Sequence, residues 1–162
     1  MIRQSESIEV WAREINNEHT LNLFLKAQMY GCWFQKSSRL AEALYFAPHF
    51  GKSIAQNHPG VTAGISYVAK IEHIEVVQSW GDLIAAIKHH RGKTWLTSHK
   101  EYIDELHREW NWNGKRQRSM LFLGMPRLAF NPAVKKDNLQ KGQGFLSKRT
   151  FAFDDLFAAW VK

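Results

Sequence analysis

Residues 64–77, GISYVAKIEHIEVV, decide the fold, because apolar and polar side chains alternate along them. An alternation with a period of two is typical of a β-strand, whose successive side chains point to opposite faces of the sheet. The alternation is imperfect, since Ile71 and Ile74 have opposite parities. We therefore predict a strand here that is covered on much of both faces.

Two amphipathic helices are predicted after this strand. Residues 80–90 repeat apolar side chains at helical spacing, and Gly92 is expected to end that helix. Ser98 is placed to cap a second helix over residues 99–110, in which apolar side chains recur every four residues.

The segment before the strand is less regular. Residues 20–33 favour a strand by their period of two, although part of the run also suits a helix. Residues 39–46 are predicted to form a short helix that is capped by a preceding serine and stopped by Pro48. Residues 51–60 are rich in Gly, Asn, His and Pro, which indicates a loop.

Strand character returns near the end of the chain. Residues 119–130 are predicted to form a strand with a bend or bulge at Gly124 and Pro126. A last strand is expected around residues 151–153, followed by a short helix that Asp154 caps. This order of elements predicts an α+β fold.

The length and composition favour a single domain over residues 1–162, with a C-terminal basic loop and strand extension over about residues 131–162. Cys32 is the only cysteine, so an internal disulfide is excluded. No run approaches the roughly 18 apolar residues of a membrane span. The first residues mix charges where a signal peptide would be apolar. We expect a cytoplasmic protein with no membrane partner.

The positive charge is concentrated in one segment. The formal net charge is +7, yet residues 115–149 alone carry +8, so the rest of the chain is close to neutral. Clustered cations suit a polyanion such as nucleic acid, whose phosphates they neutralise. The alternative is a solvated basic surface that serves solubility. The expected phosphate contacts are Lys115, Arg116, Arg118, Lys135, Lys136, Lys141, Lys148 and Arg149.

A candidate pocket is predicted at residues 31–38, GCWFQKSS, where a strand is expected to end and a helix to begin. Such a junction offers an indole face, a cation, hydroxyls and backbone N–H groups, which together suit a base and its phosphate. The alternative is that any one of the aromatic rings lies in the core. The expected pocket residues are Trp33, Lys36, Ser37 and Ser38, with Tyr45, Trp80 and Trp95 as candidates for a second stacking wall.

Cofactor and metal motifs are not found in the sequence. Gly142 and Gly144 begin a GxG pattern, but Ser147 occupies the place of the third glycine of a dinucleotide-binding motif. Lys148 follows that serine rather than the glycine of a Walker motif. The eight histidines show no HExxH spacing, and one cysteine does not make a cysteine-based zinc site. We expect no cofactor and no metal.

Catalytic groups are present without a recognised arrangement. Cys32 is a possible nucleophile, but a free cysteine is more often buried in a core. A nuclease would need clustered carboxylates and a lysine, and Lys70, Glu72 and Glu75 lie on the predicted strand. Lys70 and Glu72 share a parity that Glu75 lacks. No catalytic residue is assigned, and an enzyme is the less favoured alternative.

Three short motifs resemble those of the PUA-like superfamily, including its EVE and ASCH branches. They are YVAKI at 67–71, IEVV at 74–77 and MLFLG at 120–124. The resemblance covers about residues 20–130 and implies a small, mixed, partly open β-barrel decorated with helices. It also implies binding of RNA, DNA or a modified base in a pocket at the barrel mouth, where Trp33, Lys36, Ser37 and Ser38 match by position.

The favoured function is therefore a nucleic-acid-binding domain, with a basic surface for the phosphates and an aromatic pocket for a base. DNA, RNA and a modified base stay open as alternative ligands. One rival is a small nuclease or another enzyme that acts on nucleic acid. The other is a small-ligand or protein-binding module of a mobile element.

Overall fold

The protein is a mixed α+β chain, as the sequence predicts. The computed structural model describes residues 8–34, 36, 40–110, 115–139 and 150–161. The strands are β1 (Glu9–Ile15), β2 (Met29–Trp33), β3 (Tyr45–Phe50), β4 (Gly64–Ile65), β5 (Tyr67–Val77), β6 (Arg118–Leu123), β7 (Arg127–Leu128) and β8 (Thr150–Ala152). The α-helices are α1 (Glu18–Ala27), α2 (Lys52–Asn57), α3 (Trp80–His90), α4 (Lys93–Ser98), α5 (Lys100–Glu109), α6 (Lys136–Leu139) and α7 (Phe153–Trp160). Within these described residues, no helix combines the length and apolar character needed to cross a membrane.

The chain divides into two compact units. The first unit comprises Met1–Asn16, Ser37–Lys70 and Arg127–Lys162, and the second comprises Asn17–Lys36 and Ile71–Pro126. β5 contributes to both, because the division falls after Lys70. This division into compact units does not test the number of domains, so the single domain expected over residues 1–162 stays a prediction.

The first unit is built on β1 and β3, which pair in parallel. β8 pairs antiparallel with β1, while β4 and the first residues of β5 pair antiparallel with β3. β7 pairs with β5. Helix α7 lies on this unit's core and contributes Leu156 and Ala159 to it. The buried core residues are Val10, Ala12, Ala47, Ile65, Val68, Phe130, Val134, Leu156 and Ala159.

The predicted helix over residues 39–46 is wrong. Leu40–Glu42 form one 3₁₀ turn, and Tyr45–Phe50 form β3, which is buried along nearly its whole length and so lacks a strand's usual alternation. Pro48 lies within this strand instead of stopping a helix. It lies between the segments that pair with β5 and with β4, so no ladder partner faces it on that side. The expected loop over residues 51–60 is also partly wrong, because it contains α2.

The second unit has an antiparallel sheet in which β6 lies between β2 and the later part of β5. Helices α1, α3 and α5 contribute side chains to a single core with this sheet. Burial of these apolar faces stabilises the helices more than their intrinsic propensity does. The buried core residues are Leu23, Ala27, Met29, Val77, Leu83, Ile87, Ile103, Leu106, Met120 and Phe122.

Residues 20–33 divide between a helix and a strand, so the strand interpretation is wrong for their first part. The side chain of Asn17 accepts a hydrogen bond from the Thr20 N–H at 2.9 Å and caps α1. Gln28 ends the helix in the left-handed conformation, with a φ of 54°. The period of two applies only to β2.

The strand predicted over residues 64–77 is confirmed as β4 and β5, but β5 contains a bulge. Ile71 pairs with Leu123 and His73 with Phe122, so Glu72 is an extra residue on β5. A bulge changes which side chains share a face of the sheet, and a prediction from alternation alone does not include this change.

The helices predicted over residues 80–90 and 99–110 are confirmed as α3 and α5, and Gly92 follows α3 with a φ of 86°. Ser98 is not the cap of α5, because it ends α4 and its hydroxyl donates to the carbonyls of Thr94 and Trp95. The bend after β6 is also confirmed. Asp154 is not the cap of α7, since Asp155 accepts the Ala152 N–H there.

Candidate nucleic-acid interface

The ends of β2 and β6 place an aromatic side chain beside a cation. Trp33 is the last residue of β2 and pairs with Arg118, the first residue of β6. The pairing continues one step further, because the Phe34 N–H donates to the Gln117 carbonyl at 3.0 Å. Side chains of directly opposed residues lie on the same face of a sheet, so the Trp33 ring and the Arg118 guanidinium are neighbours.

Two tryptophans and two arginines form a contiguous group here. The guanidinium carbon of Arg118 lies 3.7 Å from the ring centroid of Trp33 and 3.9 Å from that of Trp110. The guanidinium carbon of Arg116 lies 4.0 Å from the Trp33 centroid. All three distances are within the range of a cation–π interaction. We call Trp33, Trp110, Arg116 and Arg118 the tryptophan-arginine cluster.

Gly31 creates the space for Trp110 in this cluster. Trp110 follows the last residue of α5, and its indole covers Gly31 in β2. A Cβ atom on Gly31 would overlap the indole and would also lie 2.8 Å from the sulfur of Met120. An isolated glycine within a strand signals such a close approach. That signal was available in the sequence, but the contact with Trp110 was not predicted.

The cluster has a buried side and an exposed side. Arg118 is only 7% exposed, and burial lowers the pKa of its guanidinium, with the like charge of Arg116 lowering it further. An arginine side chain nevertheless stays protonated in proteins. Trp33 is 38% exposed, and both Arg116 and Lys115 lie at the surface.

This arrangement can hold a polyanion with unpaired bases. Arg116 and Arg118 cover the two faces of the Trp33 ring, and Arg116 is the exposed one of the pair. A base can therefore stack on Trp33 where it takes the place of the Arg116 guanidinium, which can then contact a phosphate. Stacking against arginine also orders the Trp33 ring before a ligand arrives, which reduces the entropy lost on binding. The structure thus brings together a predicted pocket residue and two predicted phosphate contacts.

The other predicted cations are distributed along the chain. Lys36 is exposed in the second unit, and Lys135 is exposed in the first. Lys136 begins α6 in the first unit. The remaining predicted contacts lie outside the described residues; they are Lys141, Lys148, Arg149, Ser37 and Ser38.

The other predicted aromatic residues pack against the two cores. Tyr45 is half-buried against the core of the first unit. In the second unit, Trp80 packs against the core and lies 4.3 Å from the His107 ring. Trp95 stacks on His99 at 4.1 Å. These contacts stabilise the units, and among the predicted aromatic pocket residues Trp33 is the exposed one.

Arg91 is a partly buried cation that the sequence did not single out. Its guanidinium donates to the carbonyls of Gln28 at 3.2 Å and Leu123 at 2.9 Å, and it lies 5.1 Å from the Trp95 ring. Burial lowers its pKa, and the negative charge of Glu72 partly offsets that effect. Arg91 therefore joins the end of α3 to the ends of α1 and β6.

The residues of the nuclease hypothesis have separate surroundings. Lys70 is exposed in the first unit, and Glu72 is exposed at the bulge in the second. Glu75 accepts a hydrogen bond from His90 at 2.6 Å, and the ring of His90 stacks on that of His73 at 4.0 Å. Across the part of the chain that the structure describes, no three His, Cys, Asp or Glu side chains group as metal ligands would.

Comparison with known proteins gives no family model, no curated protein and no solved structure that matches this chain.

Proposed function

We propose that this chain binds nucleic acid and that the tryptophan-arginine cluster is its main contact surface. One observation carries the proposal: Trp33 is 38% exposed and lies 4.0 Å from the guanidinium of Arg116. Arg116 belongs to the segment over residues 115–149, which carries a net charge of +8. Proteins that bind single-stranded nucleic acid combine aromatic rings with clustered cations in this way.

Each part of the cluster has its own role in this proposal. Lys115 and Arg116 contact phosphates, and an unpaired base stacks on the face of Trp33 that Arg116 covers in the unbound chain. Arg118 holds the Trp33 ring in place from the buried side and contributes positive potential. A base within a duplex has both faces covered by its neighbours, so single strands are the favoured ligand.

We also propose that the fold is PUA-like, with a small, partly open mixed barrel. The YVAKI and IEVV motifs lie on β5, and MLFLG covers most of β6 and the following Gly124. The α+β organisation agrees with this proposal. A PUA-like fold would favour an unpaired or modified base as the ligand of the tryptophan-arginine cluster.

Fluorescence anisotropy with labelled single-stranded DNA, single-stranded RNA and duplex DNA tests the function. Single strands should bind more tightly than the duplex, and the affinity should fall steeply as salt rises. Trp33→Ala should weaken binding by about 1–3 kcal/mol, or roughly 5- to 160-fold, because it removes a stacking face. Trp33→Phe should retain much of the affinity.

Arg116→Ala should weaken binding to all single-stranded sequences alike and make the salt slope shallower by about 0.7, since a phosphate contact is lost. The matched control is Arg108→Ala, because Arg108 is an exposed arginine of the same unit on α5. Absence of binding by the parent chain at low salt, or an equal effect of both substitutions, would contradict the proposal.

A further inference from the structure

The first unit contains a cavity of about 680 Å³ that no residue of the tryptophan-arginine cluster lines. This volume is within the range of roughly 300–1,000 Å³ in which proteins bind small molecules. Its lining includes six polar or charged side chains. Those side chains are Glu14, Asn16, His49, Lys52, Lys135 and Asp137.

Backbone hydrogen bonds fix two walls of this cavity. On one side, the Gly51 N–H donates to the Ile15 carbonyl at 3.2 Å. On the other, Ile65 and Val134 exchange two backbone hydrogen bonds, at 2.9 and 2.8 Å. Gly64 lies against Val134 with a φ of 111°, a conformation that favours glycine. The cavity is therefore largely formed before any ligand arrives.

A carboxylate, that of Glu14, lies at the cavity wall beside Asn16 and His49. The Asn16 side chain donates to Glu14 Oε2 at 3.1 Å, and Glu14 Oε1 lies 3.9 Å from Nδ1 of His49. His49 is buried, with 9% of its surface exposed, near the end of β3, where it pairs with Glu14 of β1 on one side and Ile65 of β4 on the other. A carboxylate at the cavity wall can accept hydrogen bonds from an amine of a ligand.

Two ammonium groups line the same cavity. Lys52 begins α2, Lys135 precedes α6, and both are exposed. Lysine ammonium groups bind phosphate as point charges, and two of them match the charge of a phosphate dianion. A cavity that offers two cations together with carboxylates suits a ligand that carries both kinds of charge.

We propose that this cavity binds a phosphorylated amine of metabolite size. Lys52 and Lys135 contact its phosphate, and Glu14 accepts hydrogen bonds from its amine, with Asp137 available as a second acceptor. The proposal does not rest on nucleic-acid binding by the tryptophan-arginine cluster, which belongs to the other unit, although Lys135 is an expected phosphate contact in both proposals. Either proposal can fail while the other stands.

Isothermal titration calorimetry of the full chain with glucosamine 6-phosphate tests the proposal. Glucose 6-phosphate is the matched probe without the amine, and glucosamine is the matched probe without the phosphate. Glucosamine 6-phosphate should bind most tightly of the three. Lys52→Met and Lys135→Met should each weaken the binding of glucosamine 6-phosphate about tenfold or more, since each removes a charge-assisted contact. Lys88→Met, which changes an exposed lysine of α3, should leave it unchanged.

Glu14→Gln separates the two parts of the ligand. It should weaken the binding of glucosamine 6-phosphate. Glucose 6-phosphate should bind as tightly as before or more tightly, because a negative charge near the phosphate is removed. Circular dichroism of each variant establishes that it is folded. The proposal is overturned if the folded parent chain shows no saturable binding of glucosamine 6-phosphate, or if both lysine variants bind it as the parent does.

Discussion

Gly31 determines whether Trp110 reaches Arg118. The strand-glycine leaves a gap on β2, and the indole of Trp110 fills it. The guanidinium of Arg118 then lies between two aromatic rings, at 3.7 Å from the Trp33 centroid and 3.9 Å from the Trp110 centroid. The absence of a side chain at Gly31 thus lets Trp110 pack against Arg118, and Arg118 in turn packs against the exposed Trp33.

Gly31→Ala should destabilise the protein by about 1–3 kcal/mol, because the added methyl group overlaps Trp110 in a packed site. It should also weaken oligonucleotide binding by displacing the cluster. The control is Gly81→Ala in α3, where the nearest atom, Ser79 Oγ, is at 3.7 Å, an ordinary contact distance. That change should not destabilise the protein, because the added methyl group meets no close atom. Urea unfolding of the two variants measures both effects, and equal stabilities would contradict the role given to Gly31.

Helix α3 is the element whose ends are best defined by its own sequence. Ser79 accepts the Asp82 N–H at 3.1 Å, and Asp82 accepts the N–H groups of Ser79 and Gln78 at 3.2 and 3.1 Å. These backbone hydrogen bonds lower the pKa of Asp82, chiefly through Gln78 and then Ser79. At the other end, Gly92 follows with a positive φ.

Ser79→Ala should cost about 1 kcal/mol of stability, because the N-cap hydrogen bond is lost. Urea unfolding measures this loss.

Asp82→Asn should destabilise the protein at neutral pH. The pKa of Asp82 is lower in the folded chain, so its stabilising effect is fully present above its unfolded pKa of about 3.9 and is lost as the pH falls through the folded value. Urea unfolding at a series of pH values measures this. The difference between the parent chain and Asp82→Asn should shrink in acid, and a constant difference would refute the assignment.

Elements with local signals could be predicted from the sequence, and elements defined by tertiary contacts could not. β5 and α3 have clear periodicity, and both were found where expected. β3 was missed because a strand buried on both faces has no alternation, so its apolar residues fitted a helix equally well. Residues 20–27 alternate in hydrophobicity, yet the caps at Asn17 and Gln28 and packing on the core select a helix.

The candidate site could be predicted in part. Trp33, Arg116 and Arg118 were selected by residue type and charge, and the pairing of β2 with β6 brings them together. Trp110 was not selected, because its approach depends on how α5 packs against β2. The cavity residues lie in or beside β1, β3, α2, β4 and α6, and no sequence pattern relates such distant positions.

At the scale of the whole molecule, the charge is unevenly distributed along the chain. The described cations of the basic segment fall in both units, with Lys115, Arg116 and Arg118 in the second and Lys135 in the first. A long polyanion can contact separate groups of cations on one protein, and each phosphate contact adds to the salt dependence of binding. The net charge alone would attract a polyanion without favouring any surface.

Reversal of charge at Lys135 and Lys136 should weaken oligonucleotide binding equally across sequences, because phosphate contacts carry no sequence information. The salt slope should become shallower by about 0.7 for each single-strand phosphate contact that is lost. The matched control is Lys88→Glu with Lys93→Glu, which changes the net charge by the same amount at two exposed lysines outside the basic segment. Fluorescence anisotropy over a range of salt concentrations compares the two double variants. A smaller effect of the control is expected, whereas an equal loss would show that net charge, and not the basic segment, attracts the polyanion.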